Sequence, residues 1–238
     1  MRCLDSLSPL MQARPDVRII LVDNASTDAD ISSLIAAREY PWRERLEIIR
    51  SETNRGVAGG RNLGLSHRGE SRYLMFLDND TLVSAKAIED LIDFMDSHPE
   101  TGLAAPRLVS PQGKVQKSFK DFPGLKVKIS NILGRKNEFD DLVHDGPLHP
   151  FYVIGACQIF PSSMVDEIGK LDENIFFGPE DADFCIRVRN SGKEVVYLPH
   201  ISIIHEWQRD SHKSLFSPVS RAHIKGLLYF YKKWKKWL

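Results

Sequence analysis

Apolar and polar positions change their period several times along the first part of the chain, and each change marks an element. Residues 17–23 are a nearly unbroken apolar run closing on Asp23, the pattern of a strand buried on both faces that feeds a loop. Residues 28–40 read as a helix with Ile31, Leu34 and Ile35 on one face. A short strand over Leu46–Arg50 precedes a glycine-rich stretch, 54–64, which reads as a loop leading into a helix. Tyr73–Leu77 is the next apolar strand and stops at Asp78-Asn79-Asp80. Ile88, Leu91, Ile92 and Met95 then recur at i, i+3, i+4 and i+7, the stripe of an amphipathic helix.

Strands alternating with helices predict an α/β fold whose mainly parallel central sheet is covered on both faces. Ligands bind beyond the carboxyl ends of such strands, which is where Asp23 and the 78–80 acids fall. Residues 107–150 lose the pattern and read as a variable connection. Order returns with a strand at 151–160, helices at Ser162–Ile168 and Glu180–Asn190, and strands at 193–198 and 201–204. Gly192 suits a helix stop, and the tail 219–238 reads as helical. The expected organisation is one domain, with a first half at 1–106, a second at 151–218 and a closing helix.

Composition narrows the partners. With 42% hydrophobic residues in 238, a substantial core is available. Lys+Arg and Asp+Glu both number 32, so no global field draws nucleic acid, and no such partner is expected. Cys3, Cys157 and Cys185 form no C-x-x-C pair, which argues for reduced thiols rather than a zinc site or a disulfide framework. No run reaches the ~20 apolar residues of a membrane span, and the N-terminus lacks a signal-peptide core. A cytoplasmic location is the expectation.

Four segments carry candidate chemistry, each with a plainer alternative. Asp78-Asn79-Asp80 offers the carboxylates that Mg²⁺ or Mn²⁺ prefers, although the same residues favour tight turns. Glu180-Asp181-Ala182-Asp183 packs like charges at a helix start, which raises a pKa and makes a proton acceptor, or merely caps the helix. His205 follows the apolar residues 201–204 and is a competent third metal ligand, or a structural histidine. In 54–64, Gly56 and Gly59 would admit a ligand to the backbone, while Arg61 and Asn62 offer planar hydrogen-bonding groups; the alternative is a helix start packed tightly on the sheet. That stretch contains neither G-x-G-x-x-G nor G-K-[ST], so dinucleotide and P-loop readings are poor.

Taken in order, Val22-Asp-Asn-Ala-Ser-Thr-Asp28, 54–62, Phe76-Leu-Asp-Asn-Asp80, Gly155-Ala-Cys157, Pro179-Glu-Asp-Ala-Asp183 and Ile204-His205 resemble family 2 glycosyltransferases, in the rhamnosyltransferase-like branch. The likeness covers roughly residues 4–211. It implies a GT-A α/β/α sandwich that inverts configuration while moving a sugar from a dTDP- or UDP-type donor to a glycan or lipid-linked acceptor. It places Asp23, Asn24, Asn54, Gly56, Arg61, Asn62 and Asp78 around the nucleotide. Asp78, Asp80 and His205 match the site for Mn²⁺ or Mg²⁺, Asp181 the catalytic base, and Glu180 its neighbour toward the acceptor. The family begins with a strand ending in a Thr-Tyr-Asn-like sequence, whereas residues 1–7 resemble the helix that follows it. The first strand is therefore expected to be missing, which leaves open a catalytically impaired binding protein of the same fold. A nucleotidyltransferase is a weaker alternative, since its Arg-containing glycine loop and lysine signature are not found. In the tail, Lys232, Lys233, Lys235 and Lys236 interleave with aromatics, the composition either of a peripheral anchor on the inner face of the cytoplasmic membrane or of a closing helix.

Overall fold

The computed structural model describes residues 1–28, 30–120, 146–206 and 218–235. It begins with helix α1 (Arg2–Ala13), followed by strand β1 (Ile19–Asp23), the short α2 (Ile31–Ala36), β2 (Leu46–Arg50) and α3 (Gly56–Leu65). Then come β3 (Tyr73–Leu77), β4 (Thr81–Leu82), α4 (Ala85–Ser97), β5 (Thr101–Val109), β6 (Val115–Gln116) and β7 (Phe119–Lys120). The second half holds β8 (Tyr152–Val153), β9 (Cys157–Pro161), α5 (Ser162–Ile168), α6 (Glu180–Asn190), β10 (Glu194–His205) and α7 (Pro218–Trp234).

The sheet is mixed rather than mainly parallel. Its main part runs β3-β9-β5-β10-β4, with β6 added to β5. Among the described residues only β1 with β2 and β5 with β10 pair in parallel, while β9 enters antiparallel to both β3 and β5. The reversal was hidden because β5 gave no strand signal and β9 follows the stretch at 107–150 where apolar periodicity is lost. β5 itself (Thr-Gly-Leu-Ala-Ala-Pro-Arg-Leu-Val) is built largely from small residues and one proline, and no strand was expected there. The expected strand at 151–160 is broken into β8 and β9, and those at 193–198 and 201–204 are one long strand, β10, with an irregularity between Leu198 and Ser202.

Helix layers cover both faces. Side chains of α1 and α4 pack with Ala104, Leu108, Val196, Leu198, Ile201 and Ile203 on one side of the sheet. On the other side α3, α5, α6 and α7 bury Ala58, Met164, Phe184 and Phe230 against Leu103, Ala105, Val195 and Tyr197. The helix expected over 28–40 shrinks to α2, capped by Asp30 on the Ser33 amide, and Leu34 faces solvent at 44% exposure while Ile35 is buried.

Strands β1 and β2 form a separate two-stranded sheet, although they continue the layers of β3. Ile19 and Leu21 join the layer of Tyr73, Met75 and Leu77, while Ile20 and Val22 lie under Gly64 of α3. No hydrogen-bonded pairing links β1 to β3 among the described residues, so each ends its own sheet.

Candidate active site

The site grows from the end of β3. The Asp78 amide donates to the carbonyl of Ala156 (2.9 Å), and the Thr81 amide returns to the carbonyl of Asp78 (3.1 Å), so the acids sit in a tight turn. Beyond that turn β4 pairs antiparallel with the end of β10, with His205 opposite Thr81. This pairing carries the histidine to Asp80, and the Glu206 amide bonding to the Asp80 carbonyl (2.8 Å) closes the join. One ligand atom each from Asp78, Asp80 and His205 lies within 4.8 Å of the others.

Two details make this group fit a hard divalent cation. Asp80 Oδ1 is buried and accepts no hydrogen bond, and it lies 3.5 Å from His205 Nε2. Gln116 Nε2 donates to the His205 carbonyl (2.9 Å), which turns Gln116 Oε1 toward His205 Nδ1 at 2.8 Å. The Nδ1 proton is thereby held, and a neutral imidazole presents the Nε2 lone pair to the same space as the Asp80 oxygen. Two carboxylates and an imidazole are donors that suit Mn²⁺ or Mg²⁺. Gln116 was missed in the sequence because it lies on the short β6, within what read as a variable connection; no local pattern singles it out.

Arg61 braces the turn at Asp78. Its Nη2 donates to Asp78 Oδ1 (2.7 Å) and to the carbonyl of Gly155 (2.8 Å), and its guanidinium stacks 4.9 Å from the centre of the Phe76 ring. A side chain on Gly155 would collide with Arg61 Nη1 at 2.5 Å, which explains the glycine between β8 and β9. The Asn62 amide bonds to Leu171 N, Leu171 O and Glu173 Oε1, on the helix face that packs on that loop, which is the packing alternative for this residue.

The glycines of the 54–64 stretch also turn out to serve packing. Gly56 has φ +69°, and an added Cβ would lie 2.2 Å from the carbonyl oxygen of Phe176. At Gly59 it would meet Arg55 at 2.6 Å, so both positions need glycine for the close packing around them. Asn24 knits the loop by accepting from the Arg55 amide (2.9 Å) and donating to Asn54 Oδ1 (3.2 Å) and the Gly56 carbonyl (3.0 Å). Asp23 accepts from the Ser26 amide (2.8 Å), which lowers its pKa, and pairs with Arg50 (3.1 Å).

The second acidic group opens α6. Glu180 is buried, accepts from the Gly178 amide, and is pushed up to about 7 by burial and then by the adjacent Asp181 carboxylate. Arg61 opposes that shift and feels Asp78, Glu180 and Asp181 together, so one guanidinium lies between both acidic groups. Asp183, fully buried, turns the other way and pairs with Arg187 (2.9 Å) and Lys233 (2.6 Å).

The sequence profile of the family described as Glycosyl transferase family 2 matches residues 1–169. The chain belongs to that family. Among curated relatives of this family 2 glycosyltransferase is the N-acetylglucosaminyl-diphospho-decaprenol L-rhamnosyltransferase of Mycobacterium tuberculosis, 26% identical over 96% of this chain and 78% of that protein. The dTDP-rhamnosyl transferase RfbF of Shigella flexneri is 23% identical over 68% of this chain and 52% of its own length. These two relatives support the resemblance to the rhamnosyltransferase-like branch. Solved structures with the same fold include GalNAc-T7 with UDP, GalNAc and Mn²⁺, at a TM-score of 0.69 and 14% identity over 98% of this chain. A Pyrobaculum calidifontis mannosyltransferase in complex with GDP-Man and Mn²⁺ matches at 0.55 and 15% identity. The chain spans 46% and 55% of those two chains, and the likeness establishes the GT-A fold.

Proposed function

We propose that this family 2 glycosyltransferase moves a sugar, rhamnose being the first candidate, from a dTDP- or UDP-type donor onto a glycan or lipid-linked acceptor hydroxyl. The observation that carries the reading is the convergence of Asp78, Asp80 and His205 around an Asp80 oxygen with no hydrogen-bond partner. Mn²⁺ or Mg²⁺ held there would supply charge neutralisation for the leaving diphosphate. Arg61 fixes Asp78, and Gln116 fixes the His205 tautomer.

Asp181 is assigned the acceptor proton. As the acceptor oxygen bonds to the anomeric carbon, the bond from that carbon to the diphosphate oxygen breaks on the opposite face, and configuration inverts. Asp23, Asn24, Asn54 and Gly56 build the loop assigned to the nucleotide side, and Glu180 is assigned to the acceptor side. The donor and acceptor classes are supported by the relatives, which include an enzyme named for a lipid diphosphate acceptor.

The exposed face of α7 supports peripheral contact with an anionic membrane. Arg221, Ile224, Lys225, Leu228 and Lys232 lie on it at helical spacing. No helix among the described residues is long and apolar enough to cross a membrane.

Calorimetry with UDP or dTDP tests the site. Asp80→Ala is expected to lose the Mn²⁺-dependent part of nucleotide binding. Equal wild-type affinity with EDTA and with Mn²⁺ rejects the metal assignment.

A further inference from the structure

Helix α7 meets the acidic loop at both of the loop's ends, and one ammonium group makes the join. Lys233 Nζ lies 2.8 Å from Asp172 Oδ2, at the start of the segment leading into α6. The same nitrogen lies 2.6 Å from Oδ1 of Asp183, in the first turn of α6. Trp234 Nε1 donates to the same Asp183 oxygen (3.0 Å), and the Tyr229 hydroxyl donates to Asp172 Oδ2 (3.0 Å). Asp183 has no solvent exposure, so its charge relies on these donors and on Arg187. Opposite charges this close, with one partner desolvated, interact far more strongly than a surface pair.

Between the two anchors runs the segment that presents Glu180 and Asp181. Its Glu173 is tied to α3 through Arg55 (3.1 Å) and Asn62 (2.9 Å). The Phe176 carbonyl accepts from the Val57 amide (2.9 Å). Helix α7 passes so close to Gly178 that a side chain on Gly226 would lie 2.6 Å from the Gly178 carbonyl oxygen. The first turn of α6 is thus set by α7 from one side and by α3 from the other. Only α3 also reaches the Asp78 turn, through Arg61.

We infer that Lys233 is a positioning residue. By stapling Asp172 to Asp183 it holds the first turn of α6, and with it Glu180 and Asp181, at the angle to Asp78 and Asp80 that transfer requires. This rests on the proposed reading that those carboxylates serve the acceptor. Misplacing a reacting group by about 1 Å costs up to ~10²-fold in rate without a matching loss of binding. The effect of losing the staple therefore belongs in kcat, while nucleotide and metal, bound at the other acidic group, keep their affinity.

The test is steady-state transfer by Lys233→Met, with Lys233→Arg, Asp172→Asn and, on the far surface of α4, the exposed Lys86→Met alongside. Expected are a kcat loss of ~10- to 100-fold in Lys233→Met, an unchanged donor KM and Mn²⁺-dependent UDP affinity, and recovery of most of the rate in Lys233→Arg. Lys86→Met is expected to match wild type. Asp172→Asn keeps the loop's shape while weakening the staple, and it supplies the same readout if Lys233→Met fails to fold. A kcat within about two-fold of wild type overturns the assignment, as does a donor-affinity loss equal to the kcat loss, which marks general damage. Asp181→Asn, assayed in parallel, separates the two readings. Retained transfer there rejects the base while leaving the Lys233 result to be read on its own kcat.

Discussion

Glu180 sits between Asp181, which raises its pKa, and Arg61, which opposes that rise, and burial makes the first influence prevail. Its folded value of about 7 lies above the ordinary 4.5, so the fold favours the protonated form. The resulting contribution to stability is full below the ordinary value and is lost as pH rises through about 7. Glu180→Gln cannot ionise and keeps nearly the same shape. Its melting temperature relative to wild type is expected to be higher at pH 8 than at pH 5, checked by thermal unfolding at both values. A pH-independent difference between the two proteins would show that Glu180 ionises in the fold as it does in water. Residues of this kind were legible as types: the sequence marked the acids at 78–80 and 180–183 and the histidine at 205. What each one faces was not legible. Asp183 and Asp181 are two positions apart in the same acidic run, yet Asp183 serves an ion pair with α7. Asn62 and Gly56 have the composition of a ligand loop and the contacts of a packing interface.

At the scale of elements, runs of large apolar residues were readable, and two-residue strands or runs of small residues were not. Leu46–Arg50, Tyr73–Leu77 and Ser162–Ile168 stand where the apolar pattern put them, and Glu180–Asn190 where its acidic start and the stop at Gly192 put it. β5 escaped because alanine, glycine and proline carry little strand signal, yet it lies at the centre of the sheet between β9 and β10. The pairing pattern makes a prediction about local stability. β1 and β2 form a two-stranded sheet whose residues from Ile19 to Val22 are only half-buried, whereas Val195 to Leu198 of β10 are fully buried. Isolated pairs of strands are marginal, and an amide exchanges with solvent through the cheapest opening available to it. Hydrogen exchange is expected to be faster in β1 and β2 than in β5 and β10. Equal protection in both sets would mean that the two sheets open as one cooperative unit.

For the whole molecule, α7 has two faces with different work. Phe230 and Tyr231 enter the core and Lys233 turns inward to Asp172 and Asp183, so these groups are not available to a lipid surface as the tail's composition suggested. Residues 236–238, with the last lysine and tryptophan of that tail, lie outside the described residues. The outward stripe keeps Arg221, Lys225 and Lys232 around Ile224, at 49% exposure, and Leu228, at 54%. Basic groups near an anionic surface contribute ~1 kcal/mol each, screened by salt, and the two apolar side chains add burial in the interface. The chain is expected to sediment with anionic vesicles at low salt and not with neutral ones, and Ile224→Ser with Leu228→Ser to weaken that binding. Wild-type protein left in the supernatant with anionic vesicles would reduce α7 to a structural element.

The sequence by itself determined the family, the order of the ordered motifs and the chemical types at the site, because those depend on residue identity and on local period. The tertiary structure alone decided which motifs meet. His205 reaches Asp80 only because β4 pairs with the end of β10, and Gln116 reaches His205 only because β6 joins the sheet beside β5. Lys233 reaches Asp183 because α7 returns across the loop before α6. Each is a contact between segments far apart in sequence. No local pattern of apolar and polar residues carries it, since it is set by how the layers close around the sheet.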